Sequence, residues 1–251
     1  HRDLHKEYRR QRQMCIRDSQ DCKPSSSGVG LKNLLLTVYE RLFDDYGPQK
    51  WWPADSRFEV MVGAILTQNT SWTNVEKSVS RLKAAGVMSP VGIRITPQAK
   101  LAQLVYSSGY YNMKARKLKA FTNWLGEKFD DDIEAMTRQE VSVLRPELLN
   151  VYGIGEETAD DILLYALGIP IFVIDTYTKR LTTRLGLAPS GGKYCDYQDE
   201  FMNSLPRDTR LFNEYHALIV THSNNICTKR EPQCGGCSLL EVCPTGQSRH
   251  M

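Results

Sequence analysis

Four cysteines within 17 residues, Cys227-(six residues)-Cys234-(two)-Cys237-(five)-Cys243, constrain the C-terminal end of this chain more than any other feature. Thiolates on so short a loop can converge on one metal centre, and zinc and an iron–sulfur cluster both take four cysteinates. Chemistry alone leaves the two open. Free thiols or a disulfide pair are the competing reading. Disulfides belong to oxidising compartments, and the N-terminal stretch carries charges where a secretory apolar segment would lie. The remaining cysteines, Cys15, Cys22 and Cys195, are isolated and lack ligand-type spacing, so no disulfide is expected.

The 251 residues, 41% apolar and 24% charged, suit an ordinary globular protein with room for two modest lobes. No apolar run approaches the ~18 residues needed to span a bilayer, and the longest, from Ile169 to Ile174, is broken by Pro170. A membrane protein is excluded and a cytoplasmic location expected, at the nucleoid in a prokaryote. The net charge of +3 is carried by residues 1 to 23, leaving the body neutral. Attraction to a polyanion therefore has to rest on local clusters and backbone amides. Residues 1–30 read as a disordered or non-native segment. Beyond them Leu31, Leu34, Leu35, Val38 and Leu42 begin a series of apolar residues at helical spacing. Similar patterns run over 57–67, 74–85, 97–107, 113–129, 139–150, 156–167, 176–185 and 209–223, and the only β-rich run is Ile171 to Ile174. The chain is expected to be all-α.

Two further features carry chemistry. Gly153-Ile154-Gly155 lies between two predicted helices, where glycines allow a tight turn and the amides of the new helix can face a phosphate. On its own such a turn is more often a plain helical hairpin. About twenty residues on, Phe172-Val173-Ile174-Asp175-Thr176 is a buried extended run ending at an acid that opens a helix. Asp175 is an N-cap by position, and a carboxylate there can also offset positive charge on a sugar or orient a water.

In order, Leu66-Thr67-Gln68-Asn69-Thr70, Gly109-Tyr110-Tyr111-Asn112, Gly153-Ile154-Gly155, Val173-Ile174-Asp175-Thr176 and the cysteine loop make the chain resemble endonuclease III and the other helix-hairpin-helix DNA glycosylases. The resemblance covers about residues 31 to 245. It implies two helical lobes with a DNA-binding cleft between them: a six-helix barrel over 50–169 with the helix-hairpin-helix, and a discontinuous cluster lobe from 31–49 and 170–251. By the same resemblance, Cys227, Cys234, Cys237 and Cys243 hold a 4Fe-4S cluster, and Gly153, Ile154 and Gly155 grip the DNA backbone. Gln68 fills the hole left by a flipped base, Tyr110 is a wedge, and Asp175 is the catalytic aspartate. The partner is double-stranded DNA with damaged bases, bound by a monomer.

Two departures refine the expectation. Bifunctional members place a lysine two residues beyond the second hairpin glycine, where this chain has Glu157. A carboxylate cannot form a Schiff base, so the reading is a monofunctional glycosylase that uses water. Lys179 is the nearest substitute amine, and a bifunctional lyase on oxidised pyrimidines and a non-catalytic damage-binding protein are the alternatives. Secondly, Trp51-Trp52-Pro53 resembles the Trp-Trp-Pro segment lining the base pocket of 3-methyladenine DNA glycosylases of endonuclease III type. An alkylated purine nucleotide is cationic, so an indole face can recognise it by cation–π stacking. Equally, the two tryptophans can be plain core anchors.

Overall fold

A computed structural model describes residues 29–250; of the segment 1–30 read as disordered or non-native, residues 1–28 lie outside it, while Val29 and Gly30 open a helix. Among the described residues every regular element is helical and no strand forms. No described helix is long and apolar enough to cross a membrane. The chain divides into two compact units, one spanning Trp52–Ile169 and the other combining 29–51 with 170–250.

The first unit is built around α2 (Arg57–Leu66), whose residues from Phe58 to Leu66 are all buried. A helix buried on every side belongs inside its unit, and α2 packs against α3 (Trp72–Ala84), α6 (Tyr111–Phe129) and α9 (Glu156–Asp161) with the π-helical turn Ile162–Ala166 that continues it. Ser56 starts α2 by accepting the Glu59 N–H. The unit is completed by α4 (Pro90–Ile95), α5 (Gln98–Leu104), α7 (Ile133–Thr137) and α8 (Val141–Asn150). Helices α4 and α7 have six and five residues, too short to show periodicity, and the sequence did not announce them. Arg145 on α8 donates from Nε and Nη2 to the two carboxylate oxygens of the fully buried Asp160, at 2.7 and 2.9 Å. This bidentate pair fastens α8 to α9 across the hairpin.

The second unit contains α1 (Val29–Tyr46), α10 (Thr176–Arg184), α11 (Tyr194–Ser204), α12 (Thr209–Asn225) and α13 (Pro244–His250). Helix α1 begins at Val29, two residues before the periodic leucines. Its Leu35 carbonyl accepts the Tyr215 hydroxyl of α12 at 2.8 Å. An aromatic cluster forms the core: Phe172 stacks on Phe201 at 4.0 Å, with Phe212 and Tyr215 edge-on. The β-rich run Ile171–Ile174 is buried yet pairs with no strand. Side chains satisfy its backbone instead, as buried polar groups require: Gln198 Nε2 donates to the Phe172 carbonyl at 2.7 Å and the Ile174 N–H donates to the Tyr194 hydroxyl at 3.1 Å. Both partners come from α11, a helix of mixed polarity that the sequence did not reveal. Cys195 also lies on α11, while Cys15 and Cys22 lie outside the described residues.

Candidate functional site

In the second unit Asp175 is the N-cap of α10, its Oδ1 accepting the Thr178 N–H at 2.7 Å. The carboxylate is buried, and its Oδ2 lies 3.5 Å from His216 Nε2 on α12. Burial pushes the Asp175 carboxyl upward, but the charge of His216, together with the Thr178 amide, prevails and holds it below the usual carboxylate range. The result is an anion kept at a helix mouth inside a largely dry environment, suited to a developing cation. One turn on, Lys179 Nζ lies 5.3 Å from the Tyr197 ring centre and 5.9 Å from that of Tyr194.

The first unit brings the hairpin and Gln68 together. Gly153 has φ +83°, a conformation that favours glycine. A Cβ there would also collide with the aliphatic stem of Lys117. Ile154 is buried as the hairpin anchor, and the exposed Gly155 is the N-cap of α9. Gln68 Nε2 donates to the Gly153 carbonyl at 3.0 Å and to Thr158 Oγ1 at 2.9 Å, and Gln68 Oε1 accepts from Lys117 Nζ. Glu157 stands exposed in the first turn of α9. Tyr110 is 72% exposed with φ +43°, at the start of α6. Gln68, Asn69, Tyr110, Met113, Lys114 and Lys117 line one recess of about 160 Å³. Lys114 is almost wholly buried and donates to the Leu66 carbonyl at 2.8 Å and to that of Ser108. Burial, then the neighbouring Lys117, bring it down to about 8.

Trp52 packs against Gly63 of α2, where an added Cβ would sit 3.1 Å from its ring. Its ring meets that of Trp72 at 5.1 Å and 90°, and that of Tyr165 at 5.3 Å. Trp52 and Pro53 line a recess of about 370 Å³ with Trp72, Glu59, Glu76 and Lys83, while Trp51 is half-buried and does not line it. Lys83 Nζ binds the buried Glu59 and the exposed Asp55, each at 2.7 Å, and Trp72 Nε1 donates to Glu76 Oε1 at 2.9 Å.

All four cysteines of the C-terminal loop are free thiols lining one cavity, walled by Leu181, Ile226, Leu239 and Leu240. Arg184 of α10 holds the first of them, donating from Nη1 to Cys227 Sγ at 3.0 Å and to its carbonyl at 3.1 Å. The Gly246 amide donates to Cys243 Sγ at 3.3 Å, and His222 Nε2 lies 3.6 Å from Cys237 Sγ. Burial, with charge on the neighbouring cysteines, pushes the Cys237 and Cys243 thiols up. Ionised together, four such groups would repel one another, and a cationic centre would relieve this. Among the described residues, no three His, Cys, Asp or Glu side chains converge as a site for a single ion.

His216, Trp72 and Lys117 escaped the sequence reading. His216 is one of several polar residues on α12 and meets Asp175 only through the packing of α10 on α12. Trp72, one residue after the N-cap Ser71 of α3, offered the one usable signal, a large aromatic at a helix start.

A family model described as HhH-GPD superfamily base excision DNA repair protein matches residues 62–207. A curated Methanocaldococcus jannaschii protein named as a candidate DNA repair glycosylase is 44% identical over 211 residues, covering 84% of this chain and 96% of that protein. The structure of a non-covalent endonuclease III–DNA complex superposes with a TM-score of 0.76 at 22% identity, covering 87% of this chain and 98% of the other. The H. pylori 3-methyladenine DNA glycosylase bound to 1,N6-ethenoadenine superposes with a TM-score of 0.65 at 29% identity, covering 77% of this chain and 96% of that one.

Proposed function

Since the chain belongs to the HhH-GPD superfamily of base excision DNA repair proteins, we propose that it is a monofunctional DNA glycosylase acting on alkylated purines in double-stranded DNA. That it is a DNA glycosylase follows from the family and the M. jannaschii relative. The absence of lyase chemistry is the finer reading, and Glu157 carries it. An exposed carboxylate occupies the hairpin position where a lysine would attack the sugar. Lys179 is a poor substitute, because its ammonium lies over two tyrosine rings.

The reaction then runs by hydrolysis. The bond between C1′ and the purine nitrogen breaks, its electron pair leaves with the base, and Asp175 offsets the positive charge developing on the sugar. Water adds at C1′ and yields its proton to the carboxylate or to solvent. An alkylated base leaves as a neutral molecule, so little acid catalysis is required. The recess of Trp52, Pro53 and Trp72, whose lining holds two carboxylates, Glu59 and Glu76, against the one ammonium of Lys83, supports a cationic aromatic ligand. The likeness to the H. pylori 3-methyladenine enzyme supports the same choice. Gly153, Ile154 and Gly155 would hold a phosphate at the hairpin turn, although the Ile154 N–H is itself given to the Val151 carbonyl at 3.2 Å; Tyr110 would wedge the stack, and Gln68 would fill the vacated position.

Cys227, Cys234, Cys237 and Cys243 would hold a 4Fe-4S cluster, whose bonds would close a loop too short to build an apolar core. The test is product analysis on DNA carrying a defined alkylpurine. We expect base release, strands that break only after alkali, and no adduct trapped by borohydride. Robust trapping lost on Lys179→Ala would establish the lyase reading instead.

A further inference from the structure

Gln68 is tied at both ends of its amide in the protein without DNA. Its nitrogen donates to the Gly153 carbonyl and to Thr158 Oγ1, and its oxygen accepts from the Lys117 ammonium. Lys117 reaches this point by laying its stem across Gly153, in space open only because that residue has no Cβ. One lysine thus touches both the glycine that opens the hairpin and the glutamine beside the 160 Å³ recess. We propose that Lys117 is a positioning residue that holds Gln68 back until the hairpin takes a DNA phosphate. The proposal rests on the reading of Gln68 as the gap-filling residue.

The exchange follows from hydrogen-bond strength. A phosphate oxygen bears charge and accepts more strongly than a neutral amide oxygen, so an ammonium lying on the hairpin turns towards an arriving phosphate and gives up Gln68 Oε1. Burial holds the Lys117 amine below its usual range, and a phosphate would favour its charged form. Release then leaves Gln68 with two bonds on its nitrogen. Insertion is thereby linked to engagement of the backbone, which keeps the glutamine from probing DNA that the hairpin has not gripped.

The experiment uses 2-aminopurine fluorescence at saturating protein, on an undamaged duplex and on one with a tetrahydrofuran abasic analogue opposite the probe. Wild-type protein is expected to change the signal on the abasic duplex only. Lys117→Met keeps the stem and removes the charge, and should produce at least a twofold signal on the undamaged duplex too. Lys117→Arg should restore discrimination. Thr158→Val, which removes another hold on Gln68, should act in the same direction as Lys117→Met and serves if that variant does not fold. Lys117→Met with wild-type amplitudes on both duplexes, even at weaker affinity, would make Lys117 a simple DNA contact and overturn the proposal. Gln68→Ala separates the premise: an unchanged wild-type signal on the abasic duplex would remove the gap-filling role and the latch together.

Discussion

Asp175 Oδ2 lies 3.5 Å from His216 Nε2, and the two residues are only 9% and 5% exposed. The largest influence on the carboxyl, burial, opposes ionisation, and His216 leads the groups that reverse it. Removing His216 takes away the largest of the influences that oppose burial. We expect His216→Ala to raise the Asp175 pKa and to shift the acid limb of single-turnover base release to higher pH. His216→Asn, which keeps a donor, should shift it less. An unchanged acid limb in both variants would show that His216 does not govern the carboxylate. Stability follows the same sign. With its folded pKa depressed, Asp175 contributes stability above its unfolded value of about 3.9, and the contribution fades as pH falls through the lower folded value.

Asp175→Asn separates charge from shape. Asparagine is as good an N-cap as aspartate, so α10 should still start at Thr176 and Tm should change little. The charge opposite the sugar is lost, and base release should slow by a factor on the order of 10²–10³. Binding to DNA with an abasic analogue should persist. Full turnover in this variant would remove Asp175 from the chemistry.

Gly153→Ala tests the hairpin. At φ +83° an alanine is strained, and its Cβ would meet the Lys117 stem. Left-handed backbone alone costs roughly 1–2 kcal/mol, and displacement of Lys117 adds to it. We expect a lower Tm and weaker binding to any duplex, whatever its sequence. Gly155→Ala, with φ −100° and open space at its Cβ, should be tolerated far better in stability. Equal destabilisation by the two would refute the conformational argument.

The parts of the molecule written in consecutive residues were legible. Gly153-Ile154-Gly155 announces a turn because only glycine reaches φ +83° cheaply, and Asp175 announces a helix start because a short acid caps it. The long helices show their apolar period. What the sequence hid is of two kinds. Helices α4 and α7 complete hardly more than one turn, so no period accumulates. His216 and Lys117 act across the fold: each looks like one polar residue among many on its helix until packing sets it against Asp175 or Gln68. Trp52 lay between, since its size promised a role but its contacts with Gly63 and Trp72 required the structure.

The cysteine loop predicts colour and composition. Protein purified without oxygen should be brown and contain about four irons per chain; stoichiometric zinc instead would refute the cluster. Arg184 binds the Cys227 sulfur and carbonyl from the end of α10 opposite Asp175, so disorder in the loop reaches the helix that bears the carboxylate. Cys237→Ala should lose iron and lower Tm. Hydrogen exchange should speed up in α10 and the loop while α2 keeps its protection.

The aromatic recess decides between a core anchor and a recognition surface. Trp52 does both kinds of work in principle, because it packs on Gly63 and Trp72 while lining the 370 Å³ space. Truncating it to alanine would confuse the two, so the informative set is graded. Trp52→Phe keeps most of the packing with a weaker π face, and Trp52→Leu keeps apolar bulk with none. If cation–π stacking selects the substrate, preference for cationic alkylpurines over neutral bases should fall by about 0.5–2 kcal/mol for leucine and by less for phenylalanine. Gly63→Ala tests the geometry without touching the ring's chemistry: a Cβ 3.1 Å from Trp52 forces it to move by a few tenths of an ångström. Preference should then fall with Trp52 intact. Loss of Tm along the series with lesion preference unchanged would leave Trp52 a structural residue and remove the alkylpurine assignment, while the glycosylase fold and Asp175 would stand.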